Sequence, residues 1–155
     1  MAFLSSINII GSGLTAQQLR LDVVSENITN STTTRTENDG GAYRRKMVVF
    51  EAQSGREDFR SAMAKAAGKA VANRDNGTNA GGVRVTQIVD DPSPLKLVYD
   101  PTHPDANGEG YVEMPNVDTV KEITDAMAAT QAYSANVTAF NTLTSVIAKG
   151  LEIGG

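Results

Sequence analysis

Two apolar stripes of helical period, one at each end of the chain, constrain this sequence more than any other feature. Ile7, Ile10, Leu14, Gln17, Leu21, Val24 and Ile28 step by three and four residues near the N-terminus. Ile123, Ala126, Thr130, Tyr133, Val137, Phe140, Thr144, Ile147 and Leu151 do the same near the C-terminus. That spacing places each set on one face of a helix with a heptad-like seam, and a helix with such a seam needs a partner. The simplest partner for the first helix is the second, parallel or antiparallel. Off-seam Ile9, Leu19, Val120, Met127, Leu143 and Val146 widen the stripes beyond what one partner covers, so surface is left over for other chains. Between the stripes the sequence turns to Gly, Pro and Asn. The expected fold is therefore mainly α with a small β part: N- and C-terminal helices paired as a coiled coil around an irregular, β-rich middle.

The chain has 155 residues, 5% aromatic residues and no Trp, a composition that suits a thin or extended body better than a dense globule. Its formal charge of −4 is spread without long runs, which argues against a phosphate-tracking surface and so against nucleic acid as a partner. There is no cysteine, which removes disulfides and thiol chemistry and leaves the compartment open. The first charged side chain is Arg20, so the basic start of a cleaved secretory signal is missing. No apolar run approaches the roughly 18 residues of a membrane span. If the protein leaves the cytoplasm, the expectation is a route that keeps its N-terminus.

Three regions follow: an N-terminal coiled-coil helix within 1–34, a β-rich middle over 35–116 with a flexible insert expected near 55–81, and a C-terminal coiled-coil helix within 117–155. The first helix is expected over Ser5 to about Asn30, with Ser5 or Ser6 as N-cap and with Gly11 and Gly13 permitting close helix approach. The Ser/Thr/Asn-rich run Asn30–Thr36 ends it, because such side chains compete for backbone hydrogen bonds. Strands are predicted at Tyr43–Phe50, Val83–Val89, Leu95–Tyr99 and Tyr111–Met114. The second of these contains a one-residue slip between Val85 and Ile88. Arg56–Ala72 reads as a short helix and Asn73–Gly82 as a mobile stretch. Asp118 is placed to cap the last helix.

Three segments imitate active chemistry. Gly11, Gly13 and Ala16 reproduce the spacing of a dinucleotide-binding turn, but the helical period of Ile10, Leu14, Leu21 and Val24 runs through them, and no strand precedes Glu37. Asp105, Asn107, Glu109 and Gly110 resemble the first half of a calcium loop, yet Asn116 stands where the bidentate acid belongs. His103, the single histidine, sits between prolines with Asp100 and Asp105 nearby and no nucleophile, which favours a rigid surface or interface loop. No catalytic, cofactor or metal site is expected.

The residues do carry a resemblance. Gly11, Gly13-Leu14, Ala16-Gln17, Arg20-Leu21, Val24 and Asn27-Ile28-Thr29-Asn30-Ser31-Thr32-Thr33 look like the N-terminal signature of the rod and hook proteins of the bacterial flagellum. Tyr43-Arg44-Arg45-Lys46, Val49-Phe50-Glu51, Asp91-Pro92-Ser93-Pro94-Leu95, Val98-Tyr99-Asp100-Pro101, His103-Pro104-Asp105-Ala106, Glu109-Gly110-Tyr111-Val112 and Pro115-Asn116-Val117 are similar to the proximal rod proteins within that family. The closing stretch, with Glu122 to Asp125, Tyr133, Ala135-Asn136-Val137, Phe140-Asn141 and Leu151-Glu152-Ile153, is similar too. Residues 55–81 depart from the pattern, being longer and richer in Ala and Gly.

The resemblance implies a structural, non-enzymatic subunit of the periplasmic rod of the basal body. It would be exported by the flagellum's own type III apparatus without a cleaved signal, and would assemble helically into the drive shaft and export channel. The terminal helices would line the inner tube. Implied partners are further copies, other rod proteins, the proteins at the junction with the MS ring and export gate, and distal rod neighbours. Ile10, Leu14, Leu21, Val24, Ile28, Ile123, Tyr133, Val137, Phe140 and Ile147 are the expected interface residues on the helices, and Tyr99 and His103 those on the proline-rich loop. The polar seam residues Gln17, Thr130 and Thr144 would set register. A coiled-coil adaptor forming a discrete complex of fixed stoichiometry is the alternative reading.

Overall fold

A computed structural model describes residues 2–37, 40–53, 63, 66–68 and 81–154. In chain order the elements are helix α1 (Ala2–Thr29), strands β1 (Lys46–Ala52), β2 (Val83–Asp90), β3 (Lys96–Tyr99) and β4 (Tyr111–Met114), and helix α2 (Thr119–Gly154). Most of the expected short helix at Arg56–Ala72 and of the stretch Asn73–Gly82 lies outside the described residues.

Helix α1 starts earlier than the sequence suggests, so Ser5 and Ser6 lie inside it and not at its N-cap. It runs unbroken through Gly11 and Gly13, as the apolar period requires and a phosphate-binding turn would not allow. It ends where side-chain oxygens and amides begin to compete with the ladder: Thr29 Oγ1 donates to Ser25 O at 2.8 Å and Asn30 Nδ2 to Glu26 O at 3.0 Å. Asp118 caps α2 as expected, its Oδ1 accepting the Val120 N–H at 3.1 Å.

The two helices pack antiparallel. Gly13 lies against Asn136, Arg20 pairs with Asp125 and Asn27 bonds Glu122, so positions along α2 fall as those along α1 rise. The covered face of α2 is headed by buried Glu122 and Ala129 and continued by half-buried Ala126, Tyr133, Asn136, Phe140, Leu143 and Ile147. This corrects the sequence-derived stripe at its start. Ile123 (49% exposed) and Thr130 face away from α1, and Thr130 Oγ1 merely returns to its own Ala126 O. Glu122 replaces Ile123 on the covered side because two polar partners await it there. The small side chains of Ala16 and Ala129, both buried, leave room for helix packing. At Gly13 an added Cβ would come within 3.0 Å of the Asn136 amide.

Strands β1 and β2 form an antiparallel hairpin laid along α1. Its open end is tied to Asn27 through Lys46, and its other end to Ser12, whose Oγ accepts the Val83 N–H at 3.1 Å. The lengths match: fifteen residues of helix rise about 22 Å, and seven residues of strand about 23 Å. Val49 opposes Gln87 while Phe50 opposes Val85, so Thr86 is the extra residue of a bulge. The slip read between Val85 and Ile88 is this bulge, which puts Val83, Val85 and Ile88 on the same side of the ribbon.

Strands β3 and β4 form a second, separate antiparallel pair. Val112 is buried, whereas all of β3 is exposed. The loop between them closes through Gly110 at φ +81°, a conformation that favours glycine, while Tyr99 meets Tyr111 edge to face at 5.3 Å.

Candidate functional site

Among the described residues, bonds concentrate at the junction where α1 ends, β1 begins and α2 starts. Glu122 (0% exposed) and Asn27 (1%) are its buried polar members, and neither is left without partners. Glu122 Oε1 accepts from Arg45 Nε at 2.6 Å and Oε2 from Asn27 Nδ2 at 2.9 Å. The Asn27 amide also pairs with the backbone of Lys46 as a neighbouring strand would: Oδ1 accepts the Lys46 N–H at 2.9 Å, and Nδ2 donates to the Lys46 carbonyl at 2.9 Å. Tyr43 Oη donates to the same Oδ1 at 3.0 Å. One asparagine thus satisfies the first ladder groups of β1, a tyrosine and a carboxylate from α2.

A second layer extends this junction. Arg45 Nη1 reaches Asp91 Oδ2 at 3.4 Å, and the Arg45 N–H donates to Asn116 Oδ1 at 2.8 Å. Asn116 Nδ2 donates in turn to the carbonyls of Asp91, at 3.2 Å, and Ser93, at 3.1 Å. Charge follows geometry. Burial, reinforced by Glu26, Asp90 and Glu122, pushes the Tyr43 phenol above its ordinary range. Burial disfavours the Arg45 cation, but the hydrogen bonds and negative charges of Glu122 and Asp91 together outweigh it and hold the guanidinium more firmly charged. Bonds from Ser93 keep Asp91 below the usual carboxylate range. The network positions three elements; among the described residues no group of three or more His, Cys, Asp or Glu side chains could hold a metal.

Beside the junction lies an open groove of about 620 Å³ between α1, the first turns of α2 and β1. Val24, Val48, Phe50 and Val120 line it together with Lys121 and Thr124. The proline-rich loop is a third feature. Asp105 accepts from Thr34 Oγ1 at 2.8 Å and pairs with Arg35, which ties the loop to the segment after α1. His103 Nδ1 accepts the Asp105 N–H at 3.1 Å. The Asp105 carboxylate is thus engaged within the fold, and Asn107 Oδ1 accepts the Glu109 and Tyr111 N–H groups, at 3.0 and 2.9 Å.

The residues singled out in the sequence fall in three places. Ile10, Leu14, Leu21, Val24 and Ile28 are covered or half covered along α1, and Tyr133, Val137, Phe140 and Ile147 are half covered along α2. Ile123 stands exposed on the outer face of α2, beside exposed Val120 and Met127. Tyr99 is exposed on β3 and His103 is half-buried in the loop after it. Gln17 is the one polar seam residue with an unpartnered buried atom, Oε1. The junction residues Asn27, Tyr43, Arg45, Asp91, Asn116 and Glu122 were not singled out as a site, although each lies in a stretch that carries the family resemblance.

Comparison with known proteins decides what such an arrangement belongs to. Residues 7–35 match the family described as Flagella basal body rod protein, and residues 109–153 match the one described as Flagellar basal body rod FlgEFG protein C-terminal. The flagellar basal-body rod protein FlgC of Bacillus subtilis is 46% identical over 99% of both chains. That of Borreliella burgdorferi is 44% identical over 99% of this chain and 98% of its own. That of Escherichia coli O6:H1 is 39% identical over 99% of each. The chain belongs to the FlgC family of flagellar basal-body rod proteins. As a FlgC family member it is a structural subunit of the rod, and its place is the flagellar basal body. Asn27 falls in the first matched segment, and Asn116 and Glu122 in the second, so the junction unites the two stretches that match flagellar rod families.

Proposed function

We propose that this subunit builds the proximal part of the rod by helical self-assembly with further copies and with other rod proteins, and that it has no catalytic role. Family membership carries the reading. The exposed Val120, Ile123 and Met127 on α2, the apolar face of β3 and the open groove support it as surfaces suited to neighbours. In this reading residues 1–34 and 117–155 form the inner-tube part, with α1 and α2 paired as a coiled coil, and residues 35–116 lie further out and couple adjacent subunits. Ile10, Leu14, Leu21, Val24, Ile28, Ile123, Tyr133, Val137, Phe140 and Ile147 would serve subunit packing through the helices, and Tyr99 and His103 through the outer loop. The proteins at the MS-ring and export-gate junction and the distal rod proteins are its proposed neighbours.

Export through the flagellar type III apparatus fits a chain whose described helices are not long and apolar enough to cross a membrane. Heterologous contacts between copies that do not close into a ring give helical growth. The test is complementation. A strain lacking its own FlgC should regain rods and motility when it makes this chain, and isolated basal bodies should contain it. Production and export without incorporation into basal bodies, in a discrete complex of fixed stoichiometry, would instead point to an adaptor.

A further inference from the structure

Strand β3 is an edge strand with one side of its backbone unused. The Asp100 N–H donates to Gly110 O at 3.0 Å, and bonding alternates from there along the register, so Lys96 and Val98 face β4 while Leu97 and Tyr99 point their N–H and C=O groups outward. The opposite strand agrees: the N–H and C=O of Tyr111, the residue paired with Tyr99, are both taken by Asn107. Among the described residues the outward groups of Leu97 and Tyr99 have no partner. Their side chains are equally bare, at 66% and 64% exposed, whereas Val112 on β4 is buried. β3 therefore overhangs the body of the subunit.

One device, used twice, holds the strand in place. Asp91 Oδ1 accepts the Ser93 N–H at 2.9 Å and the Ser93 hydroxyl at 2.5 Å before β3, and Asp100 Oδ1 accepts the Thr102 N–H at 3.1 Å and the Thr102 hydroxyl at 2.6 Å after it. Pro94 and Pro101 limit any added pairing to the residues between them. An edge fixed in this way loses little freedom when a second strand joins it.

The edge also complements its own reversed order. Laid antiparallel against itself with Val98 at the centre, Lys96-Leu97-Val98-Tyr99-Asp100 sets Lys96 against Asp100, Leu97 against Tyr99 and Val98 against Val98. This register pairs Leu97 with Tyr99, the two residues whose backbone groups point outward. Among the described residues neither Lys96 nor Asp100 has an ion-pair partner. The Lys96 ammonium gives one donor to Val117 O at 2.6 Å and keeps two. We propose that two copies of the free chain pair edge to edge through β3, about a two-fold axis at Val98, in a four-stranded sheet ordered β4–β3–β3–β4. Such a contact closes at two copies and does not propagate, so it is a state of the free subunit and does not rest on the rod reading. It covers Tyr99, so a paired copy cannot offer that side chain to a neighbour in the rod.

The purified full chain should show a reversible monomer–dimer equilibrium in analytical ultracentrifugation. Because the chain has no cysteine, Val98→Cys puts a single thiol on each copy, opposite its mate at a pair without backbone bonds and within reach of a disulfide, and air oxidation should give a crosslinked dimer. Leu97→Cys thiols would lie on a diagonal about 7–8 Å apart and should crosslink far less. Charge gives a second readout. Lys96→Glu or Asp100→Lys alone creates two like-charge pairs in the dimer and should weaken it about tenfold. An equimolar mixture of the two variants matches both pairs again and should recover the dimer. A chain that stays monomeric at every concentration, equal crosslinking at positions 97 and 98, or no recovery in the mixture of folded variants would overturn the pairing. If Asp100→Lys does not fold, the two cysteine variants decide the question.

Discussion

The two ends of the helix pair are held in opposite ways. At the junction end, Asn27, Glu122, Tyr43 and Arg45 bind α1, β1 and α2 together through bonds internal to the chain, and the buried Asn27 and Glu122 are fully engaged. At the far end, α2 outruns α1 and leaves Leu151 on an open seam. One end is tied by bonds within the single subunit; at the other, Leu151 stays exposed. The difference suggests how a subunit can be specific before assembly and adhesive during it: polar bonds fix the register of the pair, and apolar surface at the other end remains for neighbours.

Removing Glu122 should be the severest way to break this contrast. Glu122→Leu leaves the Arg45 guanidinium and the Asn27 amide without their carboxylate and should cost roughly 3–5 kcal/mol, read by urea unfolding of the purified chain. A loss below about 1 kcal/mol would mean that the junction is not what fixes the pair. Asn27→Ala strips partners from Lys46, Tyr43 and Glu122 together, with an expected loss of about 2–3 kcal/mol in the same measurement. Tyr43→Phe removes one bond that Asn27 Oδ1 shares with the Lys46 N–H, and about 1 kcal/mol is expected.

That tyrosine also gives the junction a pH signature. Burial raises its folded pKa above the ordinary 10.0, so the folded state favours the neutral phenol. This contribution is fully present below pH 10 and is lost as pH rises from there toward the folded value, because the unfolded chain ionises first. Stability should therefore fall in alkali above pH 10, and Tyr43→Phe should flatten that fall. Equal slopes for both proteins would show that Tyr43 is not the group responsible. The smallest effect on stability belongs to the other end. Leu151→Asp should change unfolding by less than about 0.5 kcal/mol, yet reduce incorporation into rods.

What the sequence disclosed follows the same division. The helices, the cap at Asp118, the strand Tyr111–Met114 and the slip in β2 were readable because period, turn chemistry and capping are local properties. The seam of α2 was misplaced by one residue at its start, because hydrophobicity ranks Ile123 above Glu122 and cannot weigh partners brought from Arg45 and Asn27, far away in sequence. Ser5 and Ser6 looked like caps, but nothing before them stops a helix from starting at Ala2. The junction had one signal that pattern alone could have used: Asn27 falls on the apolar face three and four residues after Val24 and Val23, where a polar side chain needs a reason. Glu122 similarly lies one heptad before Ala129, on the face α1 covers. Those residues were visible only as letters of a family signature, and their shared chemistry emerges from the packing of three elements.

Amide hydrogen exchange tests the central claim most directly, comparing the dilute monomer with the assembled rod. The account predicts that amides around Asn27 and Lys46 and in the first turns of α2 are protected in both states, while those of residues 147–154 exchange rapidly in the monomer and become protected in the rod. Equal protection of the α2 tail in both states, or a junction that is protected only after assembly, would contradict it.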